Sequence, residues 1–294
     1  MGNKQNCQIV ITGMHRSGTS LLAQWLYRCG LHLGDELLGA SVGNKEGHYE
    51  DMDFLKFHEQ LLIKRKLHFS GLIDRLPSSL TSAEMLEFRR LSEQKNEKYK
   101  LWGWKEPRTC LFLNNYKQEL TNANYLIVIR DYRTVVSSLI TRIYKRTERK
   151  YATKTGLSRF IWIKFKQGRR LAYLQRKWAS RYLKTWLLYN QEIKKLIEQL
   201  PTNKYIVVDQ NSLLKASNRI FDQMQKDWKL EELKFISYAQ LFKPNLQSSI
   251  IELDSFIKNK ELIAEANALQ KWLQEHVKNY EINDCSSEVG AVMG

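Results

Sequence analysis

The chain is poor in cysteine, proline and acid, with four Cys, four Pro and 31 Asp and Glu in 294 residues. Cys7, Cys29, Cys110 and Cys285 are scattered, with no C-x-x-C pair and no His at ligand spacing. That argues against both a zinc site and a disulfide framework and points to a reducing compartment. Long hydrophobic runs are also missing; none approaches the roughly 18 to 20 residues that cross a bilayer. The start is polar and leads directly into a strand, so no signal peptide or anchor is expected. Asn6 occupies the place where a myristoylation signal after Gly2 would carry Ser or Thr. With no long linker and no internal repeat the chain reads as one domain, and 43% apolar residues are enough for a sizeable core.

The scarcity of acid is concentrated in one place. Of a formal net charge of +16, +14 comes from residues 142–184, where fifteen Lys and Arg face the single acid Glu148. Such an excess predicts an acidic ligand, nucleic acid or an anionic membrane surface. Trp162, Phe165, Tyr173 and Trp178 are interleaved with those cations. The first reading is a helix with an aromatic face on the core and a basic face in solvent. The second is a recognition insert for an acidic or membrane-proximal substrate.

Residues 7–12 (CQIVIT), 101–105, 124–130 (NYLIVIR) and 204–208 read as short strands, the third the most continuously apolar. Helical spacing covers residues 21–29, 51–67, 81–98, 132–144, 171–200, 213–228 and 259–276, with a capping box at Thr81 and Glu84 and a stop at Pro201. Pro107 delays a further helix until Thr109. The Gly-rich stretch 39–47 predicts a loop, and the Ser, Gly and acids after residue 280 predict a mobile tail. Strands alternating with helices give an α/β chain with a parallel sheet covered by helices.

Residues 13–20, GMHRSGTS, follow the first strand and open the first helix. Their glycine spacing is that of a phosphate loop, in which N–H groups at a helix start point at an anion and the helix dipole assists. The nucleotide triphosphatase version needs Lys before the final Ser or Thr. Here that place is Thr19, and the positive charge sits three residues earlier as Arg16. Ser17, Thr19 and Ser20 offer hydroxyl donors. A turn that merely needs positive φ is the bland alternative, against which Arg16 and the three hydroxyls weigh.

HRSGTS after IVITG resembles the 5′-phosphosulfate loop of the sulfotransferases that use 3′-phosphoadenosine 5′-phosphosulfate (PAPS), in the form kept by the bacterial, carbohydrate and tyrosylprotein branches. RDYRTVVSS, at 130–138, is similar to the family's 3′-phosphate motif, in which Arg and Ser stand eight apart. The resemblance implies a single-domain, three-layer P-loop-like α/β fold with a central parallel sheet of about four to five strands flanked by helices. It would occupy residues 1–280 and carry a basic helical insert at about 142–184, leaving 281–294 as the mobile tail. It implies PAPS as co-substrate and no metal. Arg16, Ser17, Gly18, Thr19 and Ser20 would hold the 5′ end, and Arg130 with Ser138 the 3′-phosphate.

Sulfuryl transfer is, like phosphoryl transfer, an in-line displacement that depends on positioned cations near the leaving oxygen. Arg16 is one candidate. Lys105 is the second, because WKEPR at 104–108 is similar to the segment whose Lys faces the sulfuryl group in the family; a surface Lys in a turn is the alternative. An acceptor hydroxyl also needs a base. Glu50, in NKEGHYED at 44–51, stands in a context similar to that of a catalytic glutamate in carbohydrate and bacterial members. Glu46, His48 and Asp51 compete, and Glu50 and Asp51 as simple helix caps is the bland reading. Pro107 takes the place where the cytosolic branch keeps a His base. The late G-x-x-G-x-x-K segment of that branch is missing, so what completes the 3′-phosphate and adenine pocket stays open.

The expected function is therefore sulfuryl transfer from PAPS to a hydroxyl of a carbohydrate, lipid or other acceptor, itself acidic or membrane-associated. The expected location is the cytoplasm, or a membrane periphery reached through the basic aromatic segment. No nucleic-acid partner is expected, and the oligomeric state is open. A P-loop kinase or ATPase, with Asp131 or Asp209 holding Mg²⁺, and a nucleic-acid-binding protein relying on the basic segment alone are the rival readings.

Overall fold

A computed structural model describes residues 6–39, 47–244 and 250–277. Glu46, Cys285 and the tail at 281–294 lie outside the described residues. Four parallel strands, β1 (Cys7–Thr12), β2 (Leu101–Lys105), β3 (Ala123–Val128) and β4 (Tyr205–Val208), form one sheet in the order β2-β1-β3-β4. The α-helices are α1 (Thr19–Arg28), α2 (Met52–Lys64), α3 (Ser82–Lys98), α4 (Leu113–Glu119), α5 (Tyr132–Ala152), α6 (Gly156–Ile161), α7 (Gln167–Gln199), α8 (Gln210–Trp228) and α9 (Lys260–Glu275).

Alternation along the strands explains the layers. Ile9, Ile11, Leu126, Val128, Ile206 and Val208 face one side, where α1 and α8 cover them. Val10, Trp102, Trp104, Tyr125, Ile127 and Val207 face the other, where α2, α3, α4, α5, α7 and α9 pack. Strands buried on both faces have no polar alternation, which is why 124–130 looked so uniformly apolar. The outcome is the three-layer α/β fold expected, with four strands.

Two boundaries differ from the sequence reading. β3 stops at Val128, so Arg130 lies two residues beyond the strand rather than at its end. α5 continues to Ala152, past the expected stop near residue 144, because no Gly or Pro interrupts it before Gly156. The basic segment is consequently a helical arm: α5 leads out, α6 and a π-helical turn (Trp162–Lys166) reverse the chain, and α7 returns beside α5.

The wall behind β2 is aromatic. Phe54 of α2 stacks on Trp104 at 4.5 Å and 11°, and Phe88 of α3 stacks on Tyr116 at 3.9 Å. α2 is capped by Asp51, whose side chain accepts from the Asp53 N–H at 2.8 Å. α3 opens with the reciprocal Thr81 and Glu84 capping box. Phe54→Ala, which removes the ring against Trp104, is expected to cost about 3 to 5 kcal/mol of stability by urea unfolding. A loss below about 1 kcal/mol would show that the site collapses and that this wall does not hold β2 in place.

Candidate active site

The sequence between β1 and α1 can bend only because of its glycines. A Cβ on Gly13 would lie 2.4 Å from the Val128 carbonyl oxygen, so the loop can pass this close to β3 only without a side chain. Gly18, the residue before α1, has φ of 103° and provides no side-chain cap. The Ser17 N–H donates to the Met14 carbonyl at 3.1 Å, closing the turn, and Arg16 itself adopts φ of 69°. Uncapped N–H groups at the start of α1 and an adjacent arginine make an anion cradle.

On one side of the loop the structure brings Arg16, Arg130 and Ser138 together. Arg16 Nε donates to Ser138 Oγ at 2.9 Å, and Arg130 Nη1 donates to the Arg16 carbonyl at 3.2 Å. Trp186 of α7 fixes the segment by donating to the Arg130 carbonyl at 3.2 Å. Burial first, and then the neighbouring Arg142 and Arg130 charges, push the Arg16 guanidinium below its ordinary pKa. Among the described residues neither Arg16, Arg130 nor Arg142 forms an ion pair with a carboxylate. Partly buried guanidiniums that repel one another without a counter-ion favour binding of a multiply charged anion.

On the other side lies Lys105, the last residue of β2, at 1% exposure. The alternative of a surface lysine in a turn is thereby overturned. Its Nζ donates to Glu50 Oε1 at 2.7 Å, to the His48 carbonyl at 3.1 Å and to Ser20 Oγ at 3.2 Å, which uses all three ammonium hydrogens. His48 Nδ1 is 3.9 Å from Glu50 Oε1. Burial, more than any neighbour, pushes the His48 imidazole below its usual pKa. Glu50 is thus joined to Lys105 and does not cap α2. Asp51 does, and also pairs with Lys95 at 3.2 Å. The two adjacent carboxylates serve different ends. The remaining loop hydroxyls differ as well: Ser17 and Thr19 are buried, and Ser20 alone touches Lys105.

Three features escaped the sequence reading. His15, inside the loop, has an Nε2 shielded from solvent with no hydrogen-bond partner. Burial, aided by Arg108, pushes its imidazole down to about 3, so it is neutral at ordinary pH. Arg142, from α5, adds its charge beside the loop, although it had been counted only as part of the basic segment. Directly after Lys105, the fully buried His58 and Glu106 approach to 2.7 Å, with Arg108 Nη1 at 3.5 Å from Glu106. Burial raises the Glu106 carboxyl, but the Arg108 and His58 charges together bring it below its ordinary range. No motif announces these groups, because they meet only when α2, β2 and α7 pack.

Both Mg²⁺ candidates sit at helix starts. Asp131 Oδ1 accepts from the Thr134 N–H at 3.0 Å and Asp209 Oδ1 from the Ser212 N–H at 2.7 Å, so both cap helices. Among the described residues no group of three or more His, Cys, Asp or Glu is arranged to hold a metal ion.

No family model and no curated protein matches the sequence. Solved structures do match in fold. The sulfotransferase STF1 from Mycobacterium tuberculosis H37Rv shares 13% identity with this chain over 90% of it and 77% of that chain, with a TM-score of 0.51. The sulfotransferase domain of the curacin biosynthetic pathway (13% identity, 93% and 99% covered) and that of the Synechococcus PCC 7002 olefin synthase (15%, 92% and 95%) give TM-scores of 0.45 and 0.46. The class defined at this point is an α/β protein with a phosphate-type loop between β1 and α1, sharing its fold with the sulfotransferase STF1.

The neutral His15 has a consequence for stability. Its folded pKa lies below the unfolded value of about 6.5, so the unfolded chain binds the extra proton and stability falls as pH drops from about 6.5 towards 3. His15→Asn is expected to flatten that slope by up to about one proton in urea midpoints between about pH 7 and 5. Identical slopes in the two proteins would mean that His15 is solvated.

Proposed function

We propose that this protein is a PAPS-dependent sulfotransferase acting on an acceptor hydroxyl. The observation that carries the reading is the Arg16 and Arg130 pair, without a carboxylate partner among the described residues, in which Arg130 donates to the Arg16 carbonyl and Arg16 to Ser138. A nucleotide with one phosphate chain needs a single grip at the loop; the additional charge around Ser138 and Arg130 suits a second phosphate on the ribose. The fold shared with STF1 and the resemblance of the loop and of residues 130–138 to the family motifs support the same conclusion. A kinase or ATPase is disfavoured by Thr19 in place of the loop lysine and by Asp131 and Asp209 acting as helix caps.

In this reading PAPS supplies an activated sulfuryl group. The loop N–H groups and the hydroxyls of Ser17, Thr19 and Ser20 hold its 5′ side, Gly18 permits close approach, and Arg130 with Ser138 holds the 3′-phosphate. Arg16 and Lys105 neutralise charge on the oxygen that leaves as its bond to sulfur breaks. Glu50 takes the proton of the acceptor hydroxyl as the new oxygen–sulfur bond forms. Lys105 fixes the Glu50 carboxylate at 2.7 Å, so base and cation are positioned together. His48 flanks the same carboxylate, and Asp51, committed to capping α2, is the weaker alternative. The acceptor is a carbohydrate, lipid or other hydroxyl compound, reached in the cytoplasm or at a membrane surface.

The test is transfer of labelled sulfate from PAPS to a panel of hydroxyl acceptors, together with retention on immobilised 3′-phosphoadenosine 5′-phosphate. Arg130→Ala is expected to weaken retention by at least about tenfold, the loss of one charged hydrogen bond. Glu50→Gln is expected to lower kcat by about a hundred- to ten-thousand-fold and leave retention unchanged. Binding of Mg-ATP with no retention on the bisphosphate would refute the reading; unchanged kcat in Glu50→Gln would remove Glu50 from the chemistry.

A further inference from the structure

The outer part of the helical arm, beyond Ser138, Arg142 and Trp186 at its base, takes part in neither grip nor chemistry, and its tip exposes apolar side chains. Leu157 is 73% exposed, Phe160 53%, Ile163 54% and Phe165 50%, and α6 buries no residue at all. A core-facing aromatic stripe, the first reading of this segment, therefore holds only near Trp162 and at Trp178 and Tyr182, which stack at 5.3 Å. Clustered apolar exposure of this kind marks an interaction surface.

The tip is built rather than loose. Trp162 stacks on Tyr151 across the reversal at 4.3 Å and 2°, and Arg159 Nη1 donates to the Ala152 carbonyl at 3.1 Å. A π turn brings residues five apart onto one face, and Phe160 and Phe165 accordingly meet edge to face at 6.5 Å. Lys154, Lys164, Lys166 and Arg169 flank these residues in the chain, Lys164 Nζ lies 5.3 Å from the Phe160 ring centre, and among the described residues no cation between positions 154 and 177 forms an ion pair. The single acid of residues 142–184, Glu148, accepts instead from Gln167 Nε2 at 3.2 Å.

An apolar wedge ringed by unneutralised cations is the pattern of a helix that sinks its apolar side chains below lipid headgroups and keeps Lys and Arg at phosphate level. Nucleic acid would engage the cations but offers nothing to the aliphatic Leu157 and Ile163, since its phosphates reward charge and its bases reward aromatic stacking. We propose that the tip of the arm docks on an anionic lipid bilayer, with Leu157, Phe160, Ile163 and Phe165 inserted and the flanking cations on the headgroups. This goes beyond sulfuryl transfer and does not depend on it, because binding is read on vesicles without donor or acceptor.

The experiment is flotation of the full chain with vesicles of phosphatidylcholine and phosphatidylserine, against vesicles of phosphatidylcholine alone. Co-flotation with the mixed vesicles only, weakened by added salt, is the expected result. The double variant Leu157→Ser/Phe160→Ser is expected to lower partitioning at least about tenfold, and Lys164→Gln/Lys166→Gln to lower it as well. Both pairs are solvent-exposed, so unaltered circular dichroism and melting would separate lost docking from lost folding. Absence of flotation with the mixed vesicles overturns the proposal. So does flotation that survives the apolar double variant, or displacement of the protein from vesicles by a short DNA duplex, which would assign the arm to nucleic acid.

Discussion

Parallel pairing in register holds Ile11 beside Lys105 on one flank of β1 and Thr12 beside Ile127 on the other. The rest of the site depends on this alignment. It ends three strands at the same edge of the sheet, so the lysine closing β2 and the arginine just past β3 both reach the loop after β1, although their contacts there span 85 and 114 residues of chain. A slip of one residue in the β1–β2 pairing would turn Lys105 to the opposite face and exchange the β2 residues presented to the two helix layers. The aromatic wall of Phe54, Trp102 and Trp104 opposes such a slip, because those rings fit one face only.

Charge is managed in two ways on either side of the loop. Lys105 is buried and fully engaged, its ammonium shared among a carboxylate, a carbonyl and a hydroxyl. Buried charge of this kind persists because each of its hydrogens is satisfied. Among the described residues Arg16, Arg130 and Arg142 have no carboxylate partner, and the charges of Arg142 and Arg130 act against that of Arg16. Asp131, the carboxylate beside Arg130, is occupied elsewhere: its Oδ1 caps α5 and its Oδ2 accepts from Gln270.

The loop and the strands were legible in the sequence because their signals are local, a glycine pair and short β-branched runs, whereas Arg130 and Ser138 were singled out only by their resemblance to a family motif. The contact of Arg16 Nε with Ser138 Oγ was not legible, since it joins positions 122 apart. The same holds for His15, whose neutrality comes from burial against Tyr189 and the charge of Arg108, and for the Glu106 cluster, which needs α2 laid over the end of β2. Glu50 and Asp51 show the limit most clearly. They are adjacent and alike in charge, yet backbone geometry directs one to Lys105 and the other to the start of α2.

By itself, the sequence determined the α/β layering, the phosphate-type loop and the concentration of cations between positions 142 and 184, because periodicity, glycine placement and charge are written residue by residue. Only the tertiary structure decided that Lys105 is buried against Glu50, that three arginines have no carboxylate partner among the described residues, and that the basic segment is a helical arm whose tip carries apolar side chains in solvent. Those outcomes rest on which surfaces remain uncovered after the helices pack, and exposure belongs to the assembled fold rather than to any stretch of chain.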